Sequence, residues 1–361
     1  MSEMSENHDL LRHSLDRLFT QQVNRPVLEA AEAGTFPTAL WSALEEAGLT
    51  LPMVPAEQGG AGGTAFDALA IVRAAGSHAA PVPLPETMLA GWLLWACGLK
   101  IPAGPLSIAP VRPEENLTLS ANAGGGFRLD GRVTRIPWGR DARALAVLAT
   151  APDGLKVVLV EPGGFALTPA RNLAGEPRDT LTFTGLAVKP GQVAPAPAGV
   201  DGAALHLRGA VMRSAQMAGA LERSLDFTVR YAGERSQFGR PIGRFQAVQQ
   251  QLAIFAGQTA AAGRAVDAAF EALAAGGDIA FVGAIAKARV GEAAGQGAAI
   301  AHQVHGAMGF TREHALHYGT RRLWSWRDEF GAESYWQEAL GRRIAAAGAE
   351  AFWPLLTGTA D

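Results

Sequence analysis

From residue 1 to about 105, apolar positions fall at helical spacing. Leu10, Leu11, Leu15 and Leu18 recur at helix spacing, as do Leu40, Trp41, Leu44 and Ala47. The stretch VPAEQGGAGGT interrupts with a glycine cluster, and AFDALAIVRAAG and PETMLAGWLLWACGL then resume the helical pattern. Between about 106 and 197 the pattern changes. FRLDGRVTRIPWG, ALAVLATA, LKVVLVEPGG and DTLTFTGLAV are short runs rich in β-branched residues and separated by Gly, Pro and Asp turns. No helix-length segments lie between them, so they predict a small antiparallel sheet domain rather than parallel units. From about 200 helices return. MAGALERSLDFTVRYA places Met217, Leu221 and Leu225 on one stripe, and two long alanine-rich segments without interior proline follow. Small residues on several faces let such helices approach closely, as in an antiparallel bundle.

The pattern therefore predicts three parts: 1–105 helical, 106–197 β, and 198–361 a helical bundle. At 48% hydrophobic and 18% charged residues the chain can bury a large core. A net charge of −3, with no block of like charge, argues against a nucleic-acid partner. The run around MLAGWLLWACGL is about a dozen residues, short of the ~20 that span a bilayer, and reads as a buried helix. The N-terminus lacks the basic and apolar regions of a signal peptide, so a cytoplasmic location is expected. Cys97, the one cysteine, has no disulfide partner within the chain. The pairs His302/His305 and His314/His317 lack a carboxylate to complete a metal set, so no metal is expected. EQGGAGGT sits between helices and reads as a loop rather than a dinucleotide fingerprint.

The densest stretch is YAGERSQFGRPIGRFQAVQQQLA, where Arg235, Gln237, Arg240, Arg244 and Gln246 crowd a turn with Phe238 and Phe245. A plain connector needs only glycine, proline and solvated polar groups. This one is suited to something anionic and aromatic. Taken with LWSALEEAGLTLPMVPAEQGGAGG, FRLDGRVTRIPWGRDARALAVLA and AHQVHGAMGFTREHALHYGTRRLW in the same order, it resembles the acyl-CoA dehydrogenase family over essentially the whole chain.

The resemblance implies a mainly α fold with a small β domain: an N-terminal helical domain, a central antiparallel β-barrel or sandwich, and a C-terminal four-helix bundle. It implies FAD as cofactor, an acyl-CoA substrate, electron-transfer flavoprotein as acceptor, and a homo- or hetero-oligomer. In the family the arginine joint crosses a subunit interface to the neighbour's flavin. Arg235 would then meet the diphosphate or adenine end, with Gln237 and Phe238 beside it and Gln246 further along. In QVHGAMG, Gln303 and Val304 would approach the adenine end, and Gly306 would let backbone come close to the diphosphate.

Family members take the α-proton with a carboxylate whose pKa is raised in an apolar pocket, while the β-hydride goes to the flavin. Counting from Gln303 without gaps reaches Phe330. A one-residue shift seats Glu329, the first candidate base, with Asp328 second. The alternative location, the helix before the arginine joint, reads LHLRGAVMRSAQMAG and holds no acid; its Arg208 or Arg213 would either touch the CoA phosphates or be solvated, and the solvated reading is favoured. The ring-side run resembling Thr-Glu-Pro-Gly-Ala-Gly-Ser is missing from PLSIAPVRPEENL, and Arg135 and Pro137 stand where Trp and Thr are expected, with Trp138 as a substitute aromatic wall. Two readings follow: a catalytic acyl-CoA dehydrogenase chain, or a partner subunit that completes another chain's flavin site.

Overall fold

The computed structural model describes residues 3–122 and 124–357, and of residues 3–8 the backbone alone. Five helices come first: α1 (Glu3–Gln22), α2 (Arg25–Ala33), α3 (Thr38–Glu46), α4 (Ala65–Ser77) and α5 (Leu84–Ala96). Asn24 caps α2 by accepting from the Val27 N–H, and Thr64 with Asp67 forms a capping box that ends the glycine-rich loop and starts α4. Nearly all of α5 is buried, as its all-round apolar sequence predicts. Among the described residues no helix is long and apolar enough to cross a membrane.

Eight strands follow: β1 (Leu106–Ala109), β2 (Thr118–Ala121), β3 (Phe127–Pro137), β4 (Ala144–Ala151), β5 (Gly154–Val160), β6 (Ala166–Thr168), β7 (Arg178–Val188) and β8 (Val193–Pro195). They form one sheet in the order β6-β7-β3-β2-β4-β5-β8, with β1 also on β4. The sheet is mixed, which corrects the antiparallel expectation: β1 runs parallel to β4, Leu106 facing Ala144, and β2 meets β4 in parallel at Thr150. The β2–β3 excursion separates β1 from β4 in sequence, so β1 returns to the sheet by a crossover. Both faces of β4 are covered. Ala144, Ala146 and Leu148 join the helical core, while Leu145, Val147 and Ala149 join the core on the opposite side. Burial on both faces is why ALAVLATA lacks alternation.

The rest is helical. Asp201 caps α6 (Gly202–Glu234), a tiny hairpin of β9 (Ser236–Gln237) and β10 (Arg240–Pro241) follows, and α7 (Gln246–Ala275) and α8 (Ile279–His305) return alongside α6. Then come α9 (Leu316–Asp328), packed on α6 and α8, α10 (Glu333–Ala347), packed on α8, and α11 (Phe352–Thr357). Met217 and Leu221 are buried at 0% exposure among Phe255, Val290 and Trp326, so the expected stripe of α6 is its bundle face.

Candidate functional site

Two groups of residues singled out in the sequence lie at opposite ends of α6. At its C-terminal end the arginine joint and QVHGAMG come together. The Arg235 N–H donates to the Tyr231 carbonyl at 2.8 Å, and the Tyr231 ring stacks on His305 at 4.4 Å, one residue before Gly306. Gly306 has φ +57° and ψ −138°, a conformation that side-chain-bearing residues avoid, with open space where a Cβ would be. Arg235, Gln237, Phe238, Gln246 and Gln303 are exposed, whereas Val304 is buried at 8%. Phe238 and Gly239, at φ +51° and +79°, form the two-residue turn between β9 and β10, with the Phe238 ring 92% exposed. Arg240 lies over the Phe245 ring at 4.4 Å. The histidine pairs are taken up in aromatic contacts, His302 on Phe310 and His305 on His314. The buried His305 Nε2 has no hydrogen-bond partner, and neither has His302 Nδ1.

At the other end a cavity of about 530 Å³ opens where α6, the β1–β2 loop, the end of β3 and the α9–α10 junction meet. Val111 to Glu114, Arg135, Pro137, His206, Asp328 to Gly331 and Tyr335 line it. Both candidate bases are therefore on one wall. A second cleft, of about 500 Å³, lies between α1, α4, α6 and α7, and its central charges are matched: Arg73 pairs with Glu222 and Asp267.

Glu329 is not in the apolar surroundings expected of a base. Its Oε1 accepts from Arg178 Nε at 2.7 Å, and its Oε2 lies 3.0 Å from Arg178 Nη2 and 2.8 Å from Arg213 Nη2. Burial alone would raise the carboxyl pKa, but Arg178 and Arg213 outweigh it and hold it below its ordinary value. The pairing continues: Arg213 bonds Glu86 at 2.6 Å, and Glu176 receives both Arg178 and Arg322. Burial opposes ionisation of Glu176 too, yet Arg322 and Arg178 hold it at about 2. Arg213, expected to be solvated, is thus 2% exposed at the centre of this network, and Arg208 is partly buried over the Trp92 ring at 4.2 Å. Asp328 is exposed at the end of α9. Trp138 is buried against Phe36 and lines no part of the cavity.

Phe330 occupies the position next to Gly331 at the sharp α9–α10 turn, with φ +54° and +89° respectively. Two donors fix that turn. Lys287 Nζ donates to the Arg327 and Gly331 carbonyls at 2.7 Å each, and Trp336 Nε1 donates to the Phe330 carbonyl at 2.9 Å. The buried phenyl lies against Gly209 of α6, where an added Cβ would come within 2.3 Å of the ring. Sequence reasoning missed Arg178, Glu176 and Glu86, because nothing local marks residues from β7, its preceding loop and α5 as partners.

The family models for the acyl-CoA dehydrogenase N-terminal and C-terminal domains match residues 5–100 and 205–348. Acyl-CoA dehydrogenase IpdE2 of Mycolicibacterium smegmatis is 29% identical over 324 residues, 87% of this chain and 91% of the relative. The solved ChsE4–ChsE5 complex from Mycobacterium tuberculosis is similar at a TM-score of 0.87 and 25% identity, covering 97% of this chain and 99% of that one. A variant of the Tcur3481–Tcur3483 steroid ACAD is similar at a TM-score of 0.85 and 25% identity, covering 95% and 99%.

Proposed function

The chain belongs to the acyl-CoA dehydrogenase family, and from that premise we propose that it is the flavin-completing subunit of a heteromeric acyl-CoA dehydrogenase. Arg235, Gln237, Phe238, Gln246, Gln303, Val304 and Gly306 meet FAD seated in a neighbouring chain, and that neighbour supplies the α-proton base. One observation carries this reading: both places from which the family draws its base are blocked for the purpose. The phenyl of Phe330 fills the turn position and lies on Gly209, the stretch of α6 that would be the alternative. The adjacent carboxylate, Glu329, is tied to two guanidinium groups, and a carboxylate held low in pKa is a poor proton acceptor.

The fit to FAD is one-sided. On the joint end, an exposed ring, an exposed arginine fork and the open backbone at Gly306 suit a flat aromatic body and a diphosphate. On the cavity end, the β1–β2 loop offers Val111, Arg112, Pro113 and Glu114 in place of the glycine-and-hydroxyl run. FAD bound at the interface would supply the hydride acceptor. Distance favours a second chain. Arg213, beside the cavity, and Arg235, at the joint, are separated by about 33 Å along α6 at 1.5 Å per residue. The similar ChsE4–ChsE5 structure is described as a complex of two named proteins, in keeping with this assembly.

One observation favours the second reading, a self-sufficient dehydrogenase with Glu329 or Asp328 as base: both line the cavity. Flavin stoichiometry, bleaching by a panel of acyl-CoA thioesters, and Glu329→Gln separate the two. The flavin-completing role predicts fewer than one tightly held flavin per chain in isolation and no bleaching until a second dehydrogenase chain is added. In that complex Glu329→Gln leaves the bleaching rate within about twofold, because a lost base costs about 10²–10⁴-fold. One flavin per isolated chain, bleached by a thioester and silenced by Glu329→Gln, would overturn it.

A further inference from the structure

We propose that Tyr231 is a positioning residue for the flavin: it holds the Gly306 turn and Arg235 in one arrangement, so that a single cofactor meets both. The inference rests on the reading above, in which this end of the chain faces FAD seated in a neighbour.

Tyr231 reaches both flavin-facing elements. Its carbonyl accepts from the Arg235 N–H at 2.8 Å, the bond that closes the end of α6. Its ring stacks on His305, the last residue of α8, at 4.4 Å and 25°. The same ring meets the edge of His314 at 6.2 Å and 85°. His305 and His314 stand on either side of the short helical turn Gly306–Phe310, and their own rings are 4.6 Å apart. One side chain of α6 thus grips the turn before and after the backbone that the cofactor would approach. Between those grips the turn is pressed onto α8. His302 stacks on Phe310 at 4.4 Å, and a Cβ added at Gly309 would come within 3.0 Å of His302 and 3.1 Å of His305.

The orientation of His305 is fixed by chemistry as well as packing. Its Nδ1 lies 2.8 Å from the Ala301 carbonyl, which can only accept, so Nδ1 carries the proton and the buried Nε2 is bare. Protonating Nε2 would place a cationic N–H where no acceptor meets it, and burial holds the ring's pKa below its ordinary 6.5. The titratable groups around it are His302 on the same helix, His314 beyond the turn and Tyr231 on α6. Burial holds both of those histidines below 6.5 as well, and a charge on either repels one on His305. A neutral imidazole face to face with Tyr231 is therefore the state in which the turn is held. Gly306 follows directly, at φ +57° with its N–H donated to the His302 carbonyl, so the direction of its bare backbone depends on where His305 is set.

The test uses the flavin-bearing assembly of the full chain. FAD is stripped and titrated back by fluorescence quenching, and the His305 ring is followed by NMR from about pH 5 to 8. Tyr231→Leu removes the ring and should weaken FAD by roughly three- to tenfold, the worth of one stacked aromatic pair. Tyr231→Phe keeps the ring and should hold affinity within about 1.5-fold of the parent. In Tyr231→Leu water reaches His305, so its titration should move up towards 6.5, which a general loss of stability would not produce. Tyr231 is only half-buried, and Tyr231→Met, which fills the space without a flat face, gives the same comparison if Tyr231→Leu does not fold. Unchanged FAD affinity in the folded variant, a Tyr231→Phe as weak as Tyr231→Leu, or a His305 titration left in place would each overturn the role. Arg235→Ala separates this failure from that of the reading beneath it. If Arg235→Ala weakens FAD and Tyr231→Leu does not, this inference alone fails. If neither variant changes the affinity, the joint meets no flavin and the partner-subunit reading falls with it.

Discussion

At the scale of single residues, the most consequential assignment is that of Glu329. Its neighbours in sequence, Arg327, Asp328 and Phe330, said nothing of Arg178 and Arg213, which arrive from β7 and α6. The acid itself was legible from the motif, but its partners were not, because a buried ion-pair network is assembled by tertiary contact alone. Removing Arg178 leaves Glu329 and Glu176 buried with one fewer cation each. Arg178→Met is therefore expected to destabilise the chain by ~3–5 kcal/mol, as loss of one partner from a buried pair does. Denaturant unfolding of variant and parent measures this, and a change below about 1 kcal/mol would show that water enters the network freely.

Lys287 gives a second residue-scale test. Burial lowers its pKa from 10.5 to about 7, against the opposing pull of Glu333 and Glu329. Between those values the unfolded chain keeps a proton that the folded chain has released. The burial cost is thus fully present below pH 7, and stability from this group rises as the pH climbs towards 10.5. Lys287→Met lacks this slope, although it leaves the Arg327 and Gly331 carbonyls without their donor. Melting temperatures from pH 7 to 9.5 should show the parent gaining on the variant. A constant difference would mean that the ammonium stays charged throughout.

At the scale of elements, the helices were legible because periodicity survives tertiary context, and the joint because arginine, glycine and proline are dense there. The parallel pairing of β1 was not. LSIA is four buried residues with no alternation, and a fully apolar run carries no sign of its partner's direction. The hairpin after α6 is the element with the most specific consequence. Its turn is Phe238–Gly239, both at positive φ, where Asn-Gly would be comfortable and phenylalanine is strained. A ring held 92% exposed at a strained position, with only the edge of Phe245 beside it at 6.2 Å, contributes little to the folded chain that carries it. Phe238→Asn is expected to relax the turn and stabilise the isolated chain by about 0.5–1 kcal/mol. Flavin retained by the assembled complex after dialysis should fall in the same variant. If retention is unchanged, the ring does not touch the cofactor.

At the scale of the molecule, the long α6 sets the cavity and the arginine joint towards its two ends. The cavity adjoins Arg213 and the joint begins at Arg235, about 33 Å away along α6, and for that reason the proposed flavin site draws on two chains. The apolar surface left over agrees. Phe238, Phe310 and Met308 are exposed at 92%, 75% and 36%, all at the joint end. Clustered exposed apolar area is what an interface covers. Sedimentation equilibrium should therefore find species heavier than the 37.6 kDa chain, and flavin absorbance should travel with them. Pairing Phe310→Ser with Phe238→Asn should dissociate the assembly and release the flavin together, because in the proposed assembly both rings lie on the face that meets the second chain. A single species near 38 kDa that keeps its flavin would require one chain to close the distance along α6, and the two-chain site would have to be abandoned.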